Sequence, residues 1–167
     1  ISTSVNESVL VAESYFEEHA QSVSGEVLSM ANDINREAYR LNGKGNLMDR
    51  YLSDQAALRN LSDAIIFDGS SQVLAKSRFA FAITFANLEK NWVERARAGE
   101  VVVLRADKTN KLRAVVKLNS FVDAYLLVGR FIDTKVLEAM DRSRLAASDY
   151  QRLGFQQVDL QVSFAVL

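Results

Sequence analysis

The sequence predicts an α+β domain in which a long N-terminal helix precedes a five-stranded antiparallel sheet and a C-terminal helix closes the chain. Three observations support this fold class. Apolar residues recur about every 3.6 positions from Val5 to Leu41, which is the helical period. Short apolar runs separated by turn residues follow between positions 63 and 131, a pattern typical of strands. The 167 residues include no proline, which interrupts helices and central strands.

The first predicted helix is long for a domain of this size. At about 1.5 Å per residue it would extend on the order of 55 Å. It ends at the segment LNGKGN (41–46), whose glycines can adopt positive φ, and a shorter helix follows over 47–60. A second, partial apolar stripe is expected to widen its buried face: Leu10, Tyr15, Leu28, Ala31 and Tyr39. The main stripe comprises Val5, Val9, Ala12, Phe16, His19, Val23, Val27, Met30, Ile34, Ala38 and Leu41.

Strands and helices alternate in the rest of the chain. Helices are predicted over 87–99 and 133–153, the second with Asp133 or Thr134 as its cap. Five strands divided two and three around a helical connection, behind a long helix, form the order of a PAS-like sensor domain. Short connections make the last three strands antiparallel neighbours. The predicted strands are 63–68, 72–77, 101–106, 111–119 and 123–131.

The predicted sensor domain covers residues 1–153. It consists of a helical part (1–60), a sheet part (61–132) and the closing helix (133–153). Residues 154–167 become increasingly apolar, and their composition fits either a last core strand or the start of a truncated membrane helix. The chain begins at Ile1 and has no run of 18 apolar residues, so we expect a fragment of a longer protein without a complete membrane span.

Composition excludes several classes of function. There is no cysteine, which rules out disulfides, thiolate nucleophiles and cysteine-bound metals, and one histidine cannot form a multi-histidine site. The net charge of −1 provides no basic field to recruit nucleic acid. The catalytic patterns GxSxG, HExxH and the P-loop are absent. We therefore expect a non-catalytic chain with no catalytic, cofactor-binding or metal-binding residue.

The single histidine, His19, lies on the apolar stripe of the first helix. Its neighbours Glu17 and Glu18 point to other faces, because adjacent helical positions do not face each other. A partly buried, hydrogen-bonded histidine is the favoured interpretation. A pH-sensing role is the alternative, since histidine titrates near neutrality.

The predicted sheet supplies candidate ligand-binding residues. The fourth strand has an apolar face and a mixed, basic face that includes Arg113 and Lys117. That face is either solvated or a pocket wall whose cations bind a carboxylate. Arg105, Tyr125 and Arg130 on neighbouring strands are further candidates. Tyr125 and Arg130 have opposite parity, so both could line one pocket only if a bulge intervened. Acidic residues such as Asp63 and Asp68 are interpreted as strand-end and turn residues.

Two stretches resemble the start and the end of the extracytoplasmic region in NtrY-type sensor histidine kinases of nitrogen regulation. The first carries Tyr15, the pair Glu18-His19 and the motif Met-Ala-Asn-Asp-Ile-Asn-Arg at 30–36. The second, LQVSFAVL at 160–167, is similar to the entry of the second membrane helix in that family.

A third match lies between these two. The steps Asp-Ala-Tyr-Leu at 123–126 and Gly-Arg-Phe-Ile-Asp at 129–133 are similar to the family pattern. The chain departs from that pattern at Thr134, where the family tends to have proline. The match from Gly43 to Trp92 is weak.

The resemblance implies a function and a setting. It implies a single Cache-type, PAS-like sensor domain in the periplasmic part of a bacterial inner-membrane protein, transmitting a stimulus through dimer helices. It implies a homodimer anchored through flanking membrane spans, an NtrX-type response regulator as partner, and no nucleic acid. ATP and Mg²⁺ would bind only in the absent kinase domain, which would also hold the phospho-accepting histidine. A small-molecule ligand is expected without a motif that identifies it. The alternatives are a chemoreceptor domain and a ligand-free dimerisation module.

Overall fold

The computed structural model describes the backbone of residues 2–80, 90–105, 110–148 and 159–162, and the side chains of 7–80, 91–104 and 110–141. Its helices are α1 (Ser2–Arg36), α2 (Ala38–Leu41), α3 (Gly45–Leu58), α4 (Lys90–Arg97) and α5 (Thr134–Ser148). Its strands are β1 (Asp63–Phe67), β2 (Val73–Lys76), β3 (Val101–Arg105), β4 (Lys111–Lys117), β5 (Tyr125–Phe131) and β6 (Asp159–Val162).

The strands form one sheet in the order β2-β1-β5-β4-β3-β6, and each pair of neighbours is antiparallel. The five predicted strands are all present, and α4 lies in the chain between β2 and β3 as predicted. The α+β class and the PAS-like arrangement are therefore confirmed, whereas the single Cache-type assignment stays a prediction. A sixth strand, β6, extends the sheet along β3.

Helix α1 lies against one face of the sheet through the predicted apolar stripe. Val23, Val27, Met30 and Ile34 are completely buried there in the main hydrophobic core. This burial explains how a 35-residue helix remains docked, since the apolar side chains of a core helix supply most of its stability. The stripe continues past Glu37 onto the separate turn α2, whose Leu41 is also buried.

The second stripe widens the core only in part, since Leu28 packs against the core. Ala31 is buried, but the side chains of Leu10 and Tyr39 are 62% and 88% exposed. Leu10 on α1 and Tyr39 on α2 therefore lie outside the arc of positions that faces the core. The apolar character of the two residues is therefore not explained by the fold of the described residues.

The C-terminal part packs on α1 as well. Asp133 caps α5, since its Oδ1 accepts a 2.9 Å hydrogen bond from the backbone N–H of Lys135. Leu137 and Met140 of α5 join the core that α1 forms. Two of the predicted elements, α1 and α5, therefore lie side by side.

Within the predicted membrane-entry segment, 154–167, the structure describes only Asp159–Val162, and these residues form β6. At these four positions the structure shows a strand of the sheet, which is the first of the two predicted alternatives. The rest of the segment lies outside the described residues. None of the described helices combines the length and the apolarity that crossing a bilayer requires.

Candidate functional site

The predicted basic face of β4 is the face of the sheet that α4 covers. Arg113 pairs with Gly129 of β5, and Lys117 pairs with Tyr125. Register partners in antiparallel strands point to the same side. Tyr125 packs with Trp92 of α4, so this whole set faces α4, whereas the apolar parity of β4 faces α1. The alternation predicted from the sequence is confirmed.

Aromatic side chains fill one end of this face, where β1 ends and β5 begins. Trp92 and Ala96 of α4 are buried against the sheet together with Phe67 and Tyr125. The rings of Phe67 and Tyr125 stack at 5.6 Å between centroids, with an angle of 23° between their planes. Such a pair contributes about 0.5–1.5 kcal/mol beyond its buried area. Tyr125 is completely buried, so its ring is a core element in addition to a candidate site residue.

Arg97, in the last turn of α4, is a site residue that the sequence did not reveal. Its Nε donates a 3.0 Å hydrogen bond to the hydroxyl of Tyr125. This bond raises the pKa of the Arg97 guanidinium, and the carboxylates of Asp123 and Glu94 act in the same direction. The two residues are 28 positions apart, and strand parity carries no information about a helix.

Arg113 does not present a free cation. Its Nη1 lies 3.2 Å from Oδ1 of Asp63, and Lys111 Nζ lies 3.1 Å from Oδ2 of the same carboxylate. The Asp63 side chain is only 2% exposed. A buried carboxylate needs such partners, because an unpaired charge in the interior is costly. Lys111 and Arg113 therefore compensate the charge of a buried acid. Asp63 is thus a member of a buried ion-pair cluster in addition to being the first residue of β1.

Gly129 lies beneath this cluster. A Cβ at position 129 would overlap Oδ1 of Asp63 and would approach Arg113 Nη1 to 3.1 Å. The missing side chain of this glycine thus leaves the space that the Asp63 carboxylate occupies. The three residues form a compact unit on β1, β4 and β5.

Arg130 lies on the opposite face of the sheet from Tyr125. The pairing of β4 with β5 runs without a break from Tyr125 to Phe131, so the bulge that would reunite the two candidates does not occur. Arg130 instead donates to Ser22 Oγ at 2.7 Å, to the Arg59 carbonyl at 2.7 Å and to the Asn60 carbonyl at 3.1 Å. It fastens β5 to α1 and to the end of α3.

Arg59 extends the same attachment. Its Nη1 donates to Glu26 at 2.9 Å, and its Nη2 contacts Asp33, both on α1. We call Arg59 and Arg130, with their α1 partners Ser22, Glu26 and Asp33, the arginine latch. The latch joins the sheet, α3 and α1 at one place.

The remaining candidates differ in what the structure shows. Lys117 is half-buried, and no hydrogen bond or ion pair connects its side chain to the described residues. Arg105 pairs through its backbone with Leu112 of β4, and its side chain lies outside the described ones. Of the five predicted residues, the structure brings Lys117 and Tyr125 together, places Arg113 farther along the same face, and separates Arg130.

His19 is partly exposed as predicted, with its ring centroid 4.3 Å from that of Tyr15. Its Nδ1 is buried and has no hydrogen-bond partner among the described atoms, so the predicted hydrogen bond is wrong for that nitrogen. The stripe position explains the burial, because the residues one turn to either side, Phe16 and Val23, both face the core.

The sequence model of the family described as the NtrY N-terminal region matches residues 3–167 of this chain. A protein of Rickettsia conorii named as an NtrY-like sensor histidine kinase is 33% identical over 168 residues, which is 100% of this chain and 28% of the relative. A similar relative occurs in Rickettsia felis at 33% identity and the same coverage. The nitrogen regulation protein NtrY of Azorhizobium caulinodans is 29% identical over 163 residues, 98% of this chain and 21% of that protein. The chain thus spans less than a third of the length of these relatives.

Proposed function

Because the chain belongs to the family of NtrY N-terminal regions, we propose that it is the extracytoplasmic sensory region of a membrane histidine kinase. The names of the relatives as sensor histidine kinases support this, and they favour a kinase over a chemoreceptor. The PAS-like sheet supports a sensory role by analogy of fold. In this proposal the region itself is non-catalytic, and ATP and Mg²⁺ bind in a kinase domain beyond it.

The arginine latch is the observation that carries the proposed mechanism. It connects the sheet to α1, and α5 packs along the same helix. A stimulus that alters the sheet would therefore change the position of two adjacent helices. In the proposal these helices shift the population between two arrangements of a homodimer. A ligand achieves this only if it binds the two arrangements with different affinity.

The proposed setting includes further partners. Flanking membrane spans anchor the region on the periplasmic side of the bacterial inner membrane. The kinase part phosphorylates an NtrX-type response regulator. Tethering in the membrane raises the effective concentration of the two copies, so the dimer does not depend on a large interface in this region.

The test is an in-frame deletion of this region from the full-length kinase in membrane vesicles. Autophosphorylation is measured with and without nitrogen-limiting growth before the vesicles are prepared. We expect the deletion to abolish the difference between the two conditions while basal phosphorylation persists. A deletion variant whose autophosphorylation differs between the two conditions as much as that of the wild type would contradict the sensory role.

A ligand-free dimerisation module is the second candidate. It is favoured by the aromatic packing of Trp92, Phe67 and Tyr125, which fills the part of the sheet face where a ligand would otherwise lie. A thermal-shift screen with amino acids, organic acids and nitrogen oxyanions separates the two functions. Stabilisation by one class of compound supports sensing, and no stabilisation supports the dimerisation module.

A further inference from the structure

A group of hydrogen-bond donors lies at one end of the face that α4 covers. Lys117 on β4 and Tyr125 on β5 are register partners and share that face. Arg97 on α4 reaches the Tyr125 hydroxyl at 3.0 Å. Because α4 contacts β3 and β4, and β4 lies between β3 and β5, the bond from Arg97 to Tyr125 crosses the strand that carries Lys117.

The two cations of this group lack the internal counter-ion that Arg113 has. Nε of Arg97 is used by Tyr125, which leaves the edge formed by Nη1 and Nη2 without a partner among the described residues. The ammonium group of Lys117 likewise has no hydrogen-bond or ion-pair partner among the described residues. Asp123 and Glu94 act electrostatically on Arg97, but neither carboxylate makes an ion pair with it in the structure, and that of Asp123 accepts a 2.9 Å hydrogen bond from the Gly69 N–H.

A guanidinium edge presents two parallel N–H donors that match the two oxygens of a carboxylate or another planar oxyanion. Lys117, the register partner of Tyr125, adds a second positive charge on the same face of the sheet. Tyr125 is completely buried, so it would not itself contact the anion. By accepting from Nε, its hydroxyl fixes the direction in which the Arg97 edge points.

We propose that Arg97 and Lys117 bind a small oxyanion at the end of the sheet face that α4 covers, with Tyr125 as the positioning residue for Arg97. The inference rests on the proposed sensory function and assigns a chemical class to its stimulus. The site lies beside the packed aromatic cluster and does not require a cavity within it.

The test is a titration of the 167-residue chain by isothermal calorimetry and by backbone amide shifts, at constant ionic strength. Sodium succinate, phosphate and nitrate are used in separate arms against a sodium chloride reference. We expect saturable binding in at least one arm, with shifts centred on positions 97 and 117. R97Q and K117Q should each weaken that binding at least about tenfold, since charge-assisted hydrogen bonds are lost.

The variant Y125F keeps the ring and removes only the hydroxyl. It should weaken binding several-fold and reduce the preference for the oxyanion over chloride, which a purely structural role of the hydroxyl would leave unchanged. The matched controls R50Q and K135Q remove the same charges from exposed positions on α3 and α5 and should bind as the wild type does.

Three outcomes would overturn the site. These are a binding response to every oxyanion that equals the response to chloride, a loss of binding in R50Q or K135Q as large as in R97Q and K117Q, or amide shifts centred on other residues. A stable complex whose formation leaves kinase regulation unchanged would instead count against the sensory function. Regulation that persists without any oxyanion binding would count against the site alone.

Discussion

The guanidinium of Arg130 on β5 donates a 2.7 Å hydrogen bond to the hydroxyl of Ser22 on α1, 108 residues away in the sequence. The same guanidinium holds the carbonyls of Arg59 and Asn60 at the end of α3. This one side chain therefore fixes the relative positions of β5, α1 and the end of α3. The position of α1 relative to the sheet depends on a few polar contacts in addition to its apolar stripe.

Replacing Arg130 by alanine should destabilise the chain by about 2 kcal/mol, because hydrogen bonds from a charged donor contribute about 1.5–3 kcal/mol and part of the site is exposed. Urea unfolding measures the change in the free energy of unfolding. The control R40A removes an exposed ion pair with Glu37 and a contact with the Tyr51 ring, and should destabilise the chain clearly less than R130A does. Equal losses in R130A and R40A would contradict the importance of the latch for stability.

Replacing Asp63 by alanine leaves Lys111 and Arg113 without their shared carboxylate. Removing one partner of a buried ion pair costs about 3–5 kcal/mol. The triple variant D63L/K111M/R113M removes all three charges and should be considerably more stable than D63A. Chemical denaturation compares them, and a triple variant that is less stable than D63A would show that the charges are not the source of the loss.

Gly129 should not tolerate a side chain. The variant G129A brings Cβ into Oδ1 of Asp63 and should cost about 2–4 kcal/mol, the range of overpacking and of a disturbed buried charge. Gly25 on α1 is the matched control, since a Cβ there meets nothing within 4 Å. G25A should stabilise the chain by about 0.5–1 kcal/mol through helix propensity. A G129A variant as stable as the wild type would refute the close packing of this cluster.

Asp68 makes stability depend on pH in the acid range. The hydroxyl and N–H of Ser70 and the N–H of Gln72 donate to its carboxylate and lower its pKa, the hydroxyl most strongly. A pKa that is lower in the folded state gives stability that is present above the unfolded value, about 3.9, and is lost as the pH falls through the folded value.

The pH dependence of unfolding between pH 2 and 6 measures this effect. In D68N the slope of stability with pH should be smaller than in the wild type over the acid part of that range, because asparagine keeps the turn but does not titrate. The control D54N removes an exposed carboxylate on α3, and D68N should reduce the slope more than D54N does. Identical slopes in D68N and the wild type would refute the contribution of Asp68.

The order of the elements was predictable from local patterns. The apolar stripe predicted α1, and the alternation along β4 correctly divided its residues between the two faces. These predictions succeed because helical and strand periods are properties of consecutive residues. The same alternation correctly separated Tyr125 from Arg130 in the absence of a bulge.

The partners of the charged residues were not predictable in the same way. Asp63 and Arg113 are 50 positions apart, and nothing local indicates that they form an ion pair. Arg97 was missed because its contact with Tyr125 depends on how α4 lies over the sheet. Sequence periodicity gives the face of a residue, but the pairing of charges follows from tertiary packing.

In the proposed mechanism the sheet controls the position of α1 through the arginine latch and thereby regulates the kinase. Autophosphorylation of the full-length double variant R59A/R130A in membrane vesicles tests it most directly, with R40A/R50A at exposed positions of α2 and α3 as the matched control. Circular dichroism of the 167-residue double variant first establishes that the helices and the sheet still form. We expect the ratio of induced to basal phosphorylation to fall at least about fivefold in R59A/R130A and to stay within about twofold in the control. A ratio in R59A/R130A equal to that of the wild type, in a variant that retains its fold, would contradict the account.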